Sequence, residues 1–296
     1  MQFGAKIVSL ADRGVVSVTG MDARTWLDNL VTHDLDLLER QEAVFAGLLT
    51  PQGKILYEFF VARDPRAADR LFLDTQADQV VAVVKRLGMY KLRTKVEIVD
   101  RSSQLKVLAR LGDDDGKSGA AVVRYRDPRE DRLGWRLIMT AHEARPDSGD
   151  GTMEDYHAQR VTHCVAEAPH DYALGDAFPH EANWDRYGVS FSKGCFVGQE
   201  VVSRMQNKSV IRKRVIKVSA AAPLTAGADV VIGEAVIGRI GTVTGNEALA
   251  MLRLDRAAEA EDKGQQLSAA GIALTPDPAA LAAYRDSAKN RPVIDL

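Results

Sequence analysis

Short apolar runs divide the first half of the chain, and turn-forming residues separate them. Residues 14–18, 43–49 and 55–61 have the composition of strands, and a Pro-Gln-Gly turn between the last two predicts a hairpin. Four further runs of this kind lie at residues 96–99, 105–109, 122–125 and 135–139. Successive strands with short connections pair antiparallel, so residues 45–140 predict an α+β unit with a mainly antiparallel sheet.

Helical spacing of apolar residues occurs twice in the same half. One helix is predicted to begin after Asp22 and to present an apolar face as far as Val31. Another is predicted over residues 77–87, with its apolar positions at Val80, Val81, Val83, Val84 and Leu87.

Beyond residue 215 the pattern changes to short strands at close intervals. They lie at residues 215–218, 230–232, 235–240, 242–243 and 249–254. Glycines separate them, as is typical of a small β-barrel or sandwich whose chain turns tightly between strands. The sequence therefore predicts an all-β module after residue 215.

Composition narrows the function classes. Of 296 residues, 46% are hydrophobic and 27% are charged, which is ordinary globular usage and excludes a disordered chain. The 39 Lys and Arg residues nearly balance the 41 Asp and Glu residues, so the net charge of −2 gives no global reason to bind nucleic acid or an anionic membrane. We therefore expect no nucleic-acid partner and no membrane partner. The length of the chain predicts two or three domains.

The cysteine content bears on location. Cys164 and Cys195 are too few for a disulfide framework in a chain of this size and indicate a reducing compartment. The first residues lack a basic start followed by an apolar core, and no apolar run approaches the roughly 20 residues that span a bilayer. A cytoplasmic location is therefore expected.

The segment K-G-C-F-V-G-Q-E at residues 193–200 is the most unusual local sequence. It places Cys195 two residues after Lys193, and a nearby ammonium favours the thiolate over the thiol. Gly194 and Gly198 permit a tight turn or the close approach of a ligand to the backbone. A reactive thiol is one interpretation, and a glycine-bracketed turn around a small, inert cysteine is the other.

The longer run G-V-S-F-S-K-G-C-F-V-G-Q-E-V-V-S-R, residues 188–204, closely resembles the signature of the YgfZ family, folate-binding relatives of the glycine-cleavage T-protein. Three other segments are similar to that family: F-P-H-E-A-N-W-D at 178–185, L-D-N-L-V-T-H-D-L at 27–35 and L-L-T-P-Q-G-K-I-L at 48–56. The resemblance spans nearly the whole chain. It implies an α+β, GcvT-like fold with antiparallel-sheet domains and a small C-terminal β-barrel.

The same resemblance implies three domains. Residues 1–45 plus 150–205 would form a discontinuous folate-binding domain, residues 46–145 an inserted α+β domain of ferredoxin-like type, and residues 210–285 the β-barrel. The pattern of strands and helices separates the same blocks but does not show that the first and third segments join.

The implied role is that of a tetrahydrofolate-binding accessory protein for the assembly or repair of iron–sulfur clusters in a subset of enzymes. Its cofactor would be tetrahydrofolate or a derivative, and its partners iron–sulfur enzymes or cluster-assembly proteins. By motif match, Cys195 is the signature thiol and Lys193 its electrostatic partner. The remaining signature residues are Gly194, Phe196, Gly198, Gln199, Glu200 and Arg204.

An aminomethyltransferase-like one-carbon enzyme is the alternative, because the T-protein resembles this chain. The T-protein carries a G-G-I-x-D-D segment whose carboxylate is needed for aminomethyl transfer, whereas this chain reads G-K-I-L-Y-E at residues 53–58. Glu58 is one methylene longer than Asp, and displacement of a reacting group by about 1 Å loses ~10²-fold in rate. Folate binding without glycine cleavage is therefore expected, with no defined reaction. A third interpretation is a scaffold protein in which folate is incidental.

Two residues are candidate folate contacts. Arg160 matches an arginine of the family, and a guanidinium fits a carboxylate in bidentate fashion, although a salt bridge within the protein is the alternative. Trp184, beside the signature, is a candidate to stack on the pterin ring, and core packing is its alternative. The family usually reads R-x-x-x-G-x-P from this arginine, so Cys164 stands where glycine is common and is expected to be a packed small residue.

A resident metal is not expected. His157, His163, His170 and His180 lie in one stretch, but their spacing lacks the i,i+4 pair of helical metal sites. Two cysteines are too few to hold an iron–sulfur cluster alone, because clusters usually take four ligands. The basic run at residues 208–214 is interpreted as a solvated linker before the barrel, and attraction of the polyglutamate tail of a folate is its alternative. Nucleic-acid recognition is not expected, because no aromatic residues alternate with the cations.

Overall fold

The structure, a computed structural model, describes residues 6–112, 121–144 and 150–290. The strands are β1 Lys6–Ser9, β2 Arg13–Thr19, β3 Ala43–Leu49, β4 Ile55–Asp64, β5 Ala67–Gln76, β6 Glu97–Asp100, β7 Leu105–Leu111, β8 Val123–Arg126, β9 Trp135–Thr140, β10 Lys213–Ala220, β11 Asp229–Ile232, β12 Ala235–Thr244, β13 Glu247–Arg253, β14 Leu267–Ala269 and β15 Ile272–Pro276. The helices are α1 Ala23–Asp28, α2 Val80–Lys91, α3 Met153–Thr162, α4 Gln199–Lys208, α5 Leu254–Asp262 and α6 Pro278–Asn290. The chain divides into two compact units.

The first unit comprises Met1–Thr50, Leu56–Tyr156 and Arg186–Val197. It contains a five-stranded sheet of order β3-β4-β5-β2-β6 and a four-stranded sheet of order β1-β7-β9-β8. Pairings such as β2 with β5 and β7 with β9 are antiparallel. Alternate residues of the five-stranded sheet pack with the apolar faces of α1 and α2 in one buried core.

The second unit comprises Pro51–Ile55, His157–Asp185 and Gly198–Leu296. Its strands β10 to β15 form a closed barrel in the order β10-β13-β12-β11-β14-β15. Closure pairs every strand on both sides, so the barrel presents no open sheet edge. Leu254 and Ala257 of α5 and Leu281 of α6 belong to the barrel core.

The expected α+β class, with antiparallel sheets and a C-terminal barrel, is confirmed by this architecture. The three-domain partition of the sequence stays a prediction. Two helices differ from their expected form. α1 ends at Asp28 instead of continuing to Val31, because carbonyls of the following turn face a lysine ammonium. On α2, Val81 was expected on the apolar face and is 74% exposed.

Candidate functional site

Lys193 fixes the loop that carries the signature thiol. Its ammonium shares three protons among four acceptors: the backbone oxygens of Asp28, Val31 (3.1 Å) and His33 (3.0 Å) and the Asp28 carboxylate (2.9 Å). The Lys193 side chain is only 2% exposed. Carbonyls at the end of a helix carry partial negative charge, so α1 and the turn after it form a cation site. The loop is therefore anchored to α1.

Asp28 and His33 are residues of this site that the sequence analysis missed. The available signal was the family-like segment at residues 27–35, which contains both. Burial lowers the pKa of His33, and the charge of Lys193 acts in the same direction, whereas Asp34 opposes the shift. The turn after α1 therefore couples a buried ammonium to an imidazole that favours its neutral form.

Cys195 is exposed, but both of its flanks are held in place. Lys193 is anchored on one side, and Phe196 on the other is 7% exposed. The Lys193 ammonium lies 5.8 Å from the Phe196 ring centroid. No described residue forms a hydrogen bond with the Cys195 sulfur, and the contacts of Lys193 are with the turn after α1. The loop therefore presents the thiol to solvent from a fixed position.

The two signature glycines have different surroundings. Gly198 has a φ of +81°, in the left-handed region that favours glycine, and directly precedes α4. A Cβ atom on Gly194 would have nothing within 4 Å, so contacts within the described chain do not require glycine there. The backbone beside Cys195 is therefore open to close approach by another molecule.

The remaining signature residues lie on α4, in the second unit. Gln199 is the first residue of the helix. Glu200 and Arg204 form an i,i+4 ion pair of 2.8 Å with side chains that are 84% and 52% exposed. Such a pair stabilises a helix by only about 0.3–0.5 kcal/mol, and side chains this exposed pack little against the protein. Stability of the fold therefore does not require these two residue types.

Arg160 lies in a buried network of the second unit. Its Nη1 donates to the Asp171 carboxylate at 2.6 Å and its Nη2 to the Thr242 hydroxyl at 2.8 Å. Asp171 also accepts the Thr242 backbone N–H at 2.8 Å, which a bulge in β12 frees from strand pairing. Both charged side chains are 0% exposed. A folate carboxylate at Arg160 would have to displace Asp171.

Trp184 is also fully buried in the second unit. It is 0% exposed, and its indole N–H donates to the Tyr172 hydroxyl at 3.2 Å. Neither ring face is available for stacking on a ligand. The two candidate folate contacts, Arg160 and Trp184, are therefore both buried and hydrogen-bonded within the second unit.

A groove of about 800 Å³ lies beside the Arg160 network, between the segment around His170 and strand β12. His157 lines it, and its Nδ1 must accept from Arg160 at 3.0 Å because a guanidinium only donates. Cations and carboxylates both line the groove, so its charge does not select one ligand class. The lining residues include Lys213, Arg239, Asp176, Asp229, Val236 and Met251.

For metal binding and membrane spans, the structure describes residues 6–112, 121–144 and 150–290. Within these ranges, no group of three or more His, Cys, Asp or Glu side chains has a metal-binding arrangement. The rings of His157 and His170 contact edge to face at 5.1 Å. In the same ranges, no helix is long and apolar enough to cross a membrane.

A charged cluster is buried in the first unit. Asp74 on β5 accepts from Arg13 at 2.7 Å, from Arg136 at 2.9 Å and from the Tyr125 hydroxyl at 3.1 Å. Burial raises the pKa of Asp74, but the two guanidinium groups outweigh that effect and hold the pKa below its ordinary value. Glu58, which aligns with the segment that carries the T-protein carboxylate, is also buried, at 1% exposed.

The sequence resembles several characterised proteins. Residues 212–283 match the family model of the CAF17 C-terminal β-barrel domain. The chain is 32% identical over 271 residues to the human mitochondrial iron–sulfur cluster assembly factor IBA57, covering 82% of this chain and 76% of that protein. It is 34% identical over 275 residues to the mouse mitochondrial IBA57, with the same coverage. With the mitochondrial IBA57 homologue of Mycosarcoma maydis it shares 32% identity over 232 residues, but it spans only 57% of that protein's length.

The fold is also found in a solved structure. The glycine cleavage system aminomethyltransferase T from Bartonella henselae superposes with a TM-score of 0.73 and 17% identity, over 95% of this chain and 87% of that one. At this identity the likeness shows the fold alone. It confirms the expected GcvT-like fold.

These comparisons correct one expectation and leave another unconfirmed. The relatives are mitochondrial proteins, so the expected cytoplasmic location is wrong. The low cysteine count indicates a reducing compartment but does not say which one. The relatives carry the name IBA57, so membership of the YgfZ family in particular is not confirmed.

Proposed function

The chain belongs to the IBA57 family of iron–sulfur cluster assembly factors, and we propose that it acts in iron–sulfur cluster assembly through the exposed thiol of Cys195. The observation that carries this proposal is the position of that thiol, on a loop anchored by Lys193 and Phe196. An inert cysteine packs inward, whereas this one faces solvent.

The chemistry of the cluster defines the partner. Iron–sulfur clusters are held by cysteine thiolates, usually four, and one exposed cysteine supplies one ligand. The remaining ligands would come from a second protein, so Cys195 would act on a cluster shared with a partner. The partner is therefore an iron–sulfur enzyme or a cluster-assembly protein. The cluster is cargo in this scheme and not a resident cofactor.

A reduced folate is a separate part of the proposal. It is supported by the likeness of the signature, residues 188–204, to the folate-binding YgfZ family and by the GcvT-like fold. Tetrahydrofolate or a derivative is the expected ligand. Because Arg160 and Trp184 are buried, we derive no step of cluster assembly through the folate.

A pair of serine variants tests the role of the thiol. Cys195→Ser is compared with the matched variant Cys164→Ser in mitochondria or cells that lack the native protein. We expect iron–sulfur enzyme activity to be lost with Cys195→Ser and retained with Cys164→Ser at equal protein levels. Retained activity with Cys195→Ser would overturn the role of the thiol and favour a scaffold.

A thiol-labelling measurement checks the geometry independently of activity. The native protein is expected to show a fast-reacting thiol that Cys195→Ser removes and Cys164→Ser retains, because Cys195 is exposed and Cys164 is half-buried. Equal rates for the two thiols would contradict the proposed presentation of Cys195.

Calorimetric titration with tetrahydrofolate under anaerobic conditions tests the folate. Binding in the micromolar range or tighter would support a folate cofactor. Absence of binding would remove folate from the proposal and leave the thiol role unchanged.

A further inference from the structure

An exposed patch beside α2 combines apolar and basic side chains. Its apolar members are 96%, 64% and 88% exposed, in the order Met21, Met89 and Leu92. Its basic members, also exposed, are Lys85, Arg93 and Lys95. We call these six residues the α2 patch. Large apolar side chains that are exposed together and bordered by polar residues are typical of an interaction site.

The patch is contiguous although Met21 lies far from the others in sequence. A Cβ atom on Gly20 would lie 2.2 Å from the Lys95 carbonyl oxygen, so the chain before Met21 touches the chain at Lys95. The Trp26 indole N–H donates to the Tyr90 carbonyl at 3.2 Å and ties α1 to the end of α2. On the helix itself, Lys85 and Met89 are four residues apart and share one face.

The three cations of the α2 patch are not used within the chain. Among the described residues, none of Lys85, Arg93 and Lys95 forms a salt bridge or donates a side-chain hydrogen bond. Asp22 and Glu97 are neighbours in sequence, yet neither forms an ion pair with them. Residues 80–97 carry five Lys and Arg side chains against the one carboxylate of Glu97, so in a chain with a net charge of −2 this is a local positive surface.

The stability of the fold does not explain why a leucine stands at position 92. It follows the last residue of α2 with φ +45° and ψ −113°, a backbone conformation that is strained for a residue with a side chain. Glycine is the usual residue directly after a helix. Because Leu92 is 88% exposed, burial does not offset the strain. An exposed leucine in a strained position indicates a contact made outside the chain.

We propose that the α2 patch is a docking surface for a protein partner whose interface is acidic and has an apolar centre. Partner carboxylates would pair with Lys85, Arg93 and Lys95, while Leu92 and the two flexible methionines pack against apolar side chains. A membrane surface fits less well. α2 buries Val80, Val83 and Leu87 in the protein core, so its apolar face is not available to insert into a bilayer.

The patch lies in the same unit as Cys195, and α1 connects the two. Met21 lies just before α1. Asp28, the last residue of α1, is the first residue of the cation site that holds Lys193. Six helical residues span about 9 Å, whereas an ordinary protein interface of about 800 Å² per partner is roughly 28 Å across. A partner docked on the α2 patch would therefore lie near the loop of Cys195.

The test measures binding of the full chain to a synthetic helical peptide with Glu along one face and Leu along the other. Fluorescence anisotropy compares wild type with Lys85→Glu/Arg93→Glu/Lys95→Glu. We expect the triple variant to bind about tenfold more weakly or worse and the wild-type affinity to fall as salt is raised. The matched control, Arg256→Glu/Lys263→Glu/Lys289→Glu, makes the same change in charge on α5, α6 and the turn after α5. It should stay within about twofold of wild type.

Leu92→Gly separates docking from folding. It should raise the unfolding temperature, because glycine adopts the backbone conformation of Leu92 without strain, and should weaken peptide binding about threefold or more. Cys195→Ser should bind the peptide as wild type does, so failure of docking and failure of the thiol role are distinguishable.

Three results would overturn the proposal. The first is failure of the peptide to bind wild type. The second is a control variant on α5 and α6 that weakens binding as much as the patch variant does. The third is binding of phosphatidylserine and phosphatidylcholine vesicles to wild type but not to the patch variant, with no such difference for the peptide, which would identify a membrane site instead.

Discussion

The ammonium of Lys193 lies 2.9 Å from the carboxylate of Asp28, and the two residues are 165 positions apart in the chain. The turn after α1 surrounds the same ammonium with backbone oxygens. This contact explains why α1 ends early and why the loop before Cys195 is held. It gives Lys193 a structural role as an anchor, next to the electrostatic role proposed from the motif.

Replacing Lys193 by methionine should destabilise the protein by about 2 kcal/mol, because it leaves the Asp28 carboxylate and several carbonyls without their cation. Urea unfolding of the full chain measures this change. The same variant should increase the mobility of the loop and therefore change the labelling rate of Cys195.

Lys54→Met is the matched control for this prediction. Lys54 also pairs with an aspartate, Asp176, at 3.0 Å, but their side chains are 33% and 68% exposed. Exposed pairs contribute about 0–1 kcal/mol, so this variant should change stability little. Equal effects of the two substitutions would contradict the anchoring role of Lys193.

The acid sensitivity of the turn after α1 depends on His33. Burial lowers its pKa from the ordinary value of 6.5, so the unfolded chain binds a proton that the folded chain does not. The contribution of His33 to stability is therefore present above about pH 6.5 and is lost as the pH falls through the lower folded pKa. His33→Gln should reduce the slope of unfolding free energy against pH below this value.

An NMR titration of His33 checks the cause of the shift. Because the charge of Lys193 also lowers the pKa of His33, Lys193→Met should raise its titration midpoint towards the ordinary value. A midpoint unchanged by this substitution would assign the shift to burial alone.

Local patterns predicted part of the barrel but not the loop that anchors the thiol. Short strands separated by glycines are a local signal and predicted β10 to β13, with β12 divided at Gly241, whereas β14 and β15 were not predicted. The Lys193–Asp28 contact has no local signal because it depends on how distant segments fold together. The exposure of Val81 shows the same limit, because helical spacing identifies residues that share a face but not what that face meets. Arg160 was selected by its match to an arginine of the resembling family, which does not reveal its pairing with Asp171.

Cys164 follows α3 in a backbone conformation that favours glycine. It stands at a position where glycine is common in the resembling family, and its φ is +54°, in the left-handed region. The N–H of Val165 bonds the Arg160 carbonyl at 2.9 Å and that of Cys164 bonds the Val161 carbonyl at 3.3 Å, which is the Schellman arrangement with Cys164 at the glycine position.

Cys164→Gly should therefore stabilise the protein by about 0.5–1 kcal/mol, because glycine adopts this conformation without a Cβ penalty. The unfolding midpoint in urea measures the gain, with Cys164→Ala as control, since alanine keeps the Cβ atom and the strain. A loss of stability with glycine would mean that packing of the thiol near Val215 outweighs the backbone strain.

The Asp74 cluster should determine how the first unit responds to strong acid. Its two arginines hold the folded pKa of Asp74 below the ordinary value of 3.8, so the stabilisation is present above about pH 4 and is lost as the pH falls further. Asp74→Asn should cost about 3–5 kcal/mol, because it leaves Arg13 and Arg136 buried without an anion. Tyr125→Phe removes one hydrogen bond to the carboxylate and should cost about 1 kcal/mol. Because that hydrogen bond favours the ionised carboxylate, the acid transition of this variant should also begin at a slightly higher pH than in wild type. If Asp74→Asn does not fold, acid unfolding of the milder variant still decides the matter: a transition that begins no earlier than in wild type and a stability equal to wild type would exclude the Tyr125 hydroxyl from this network.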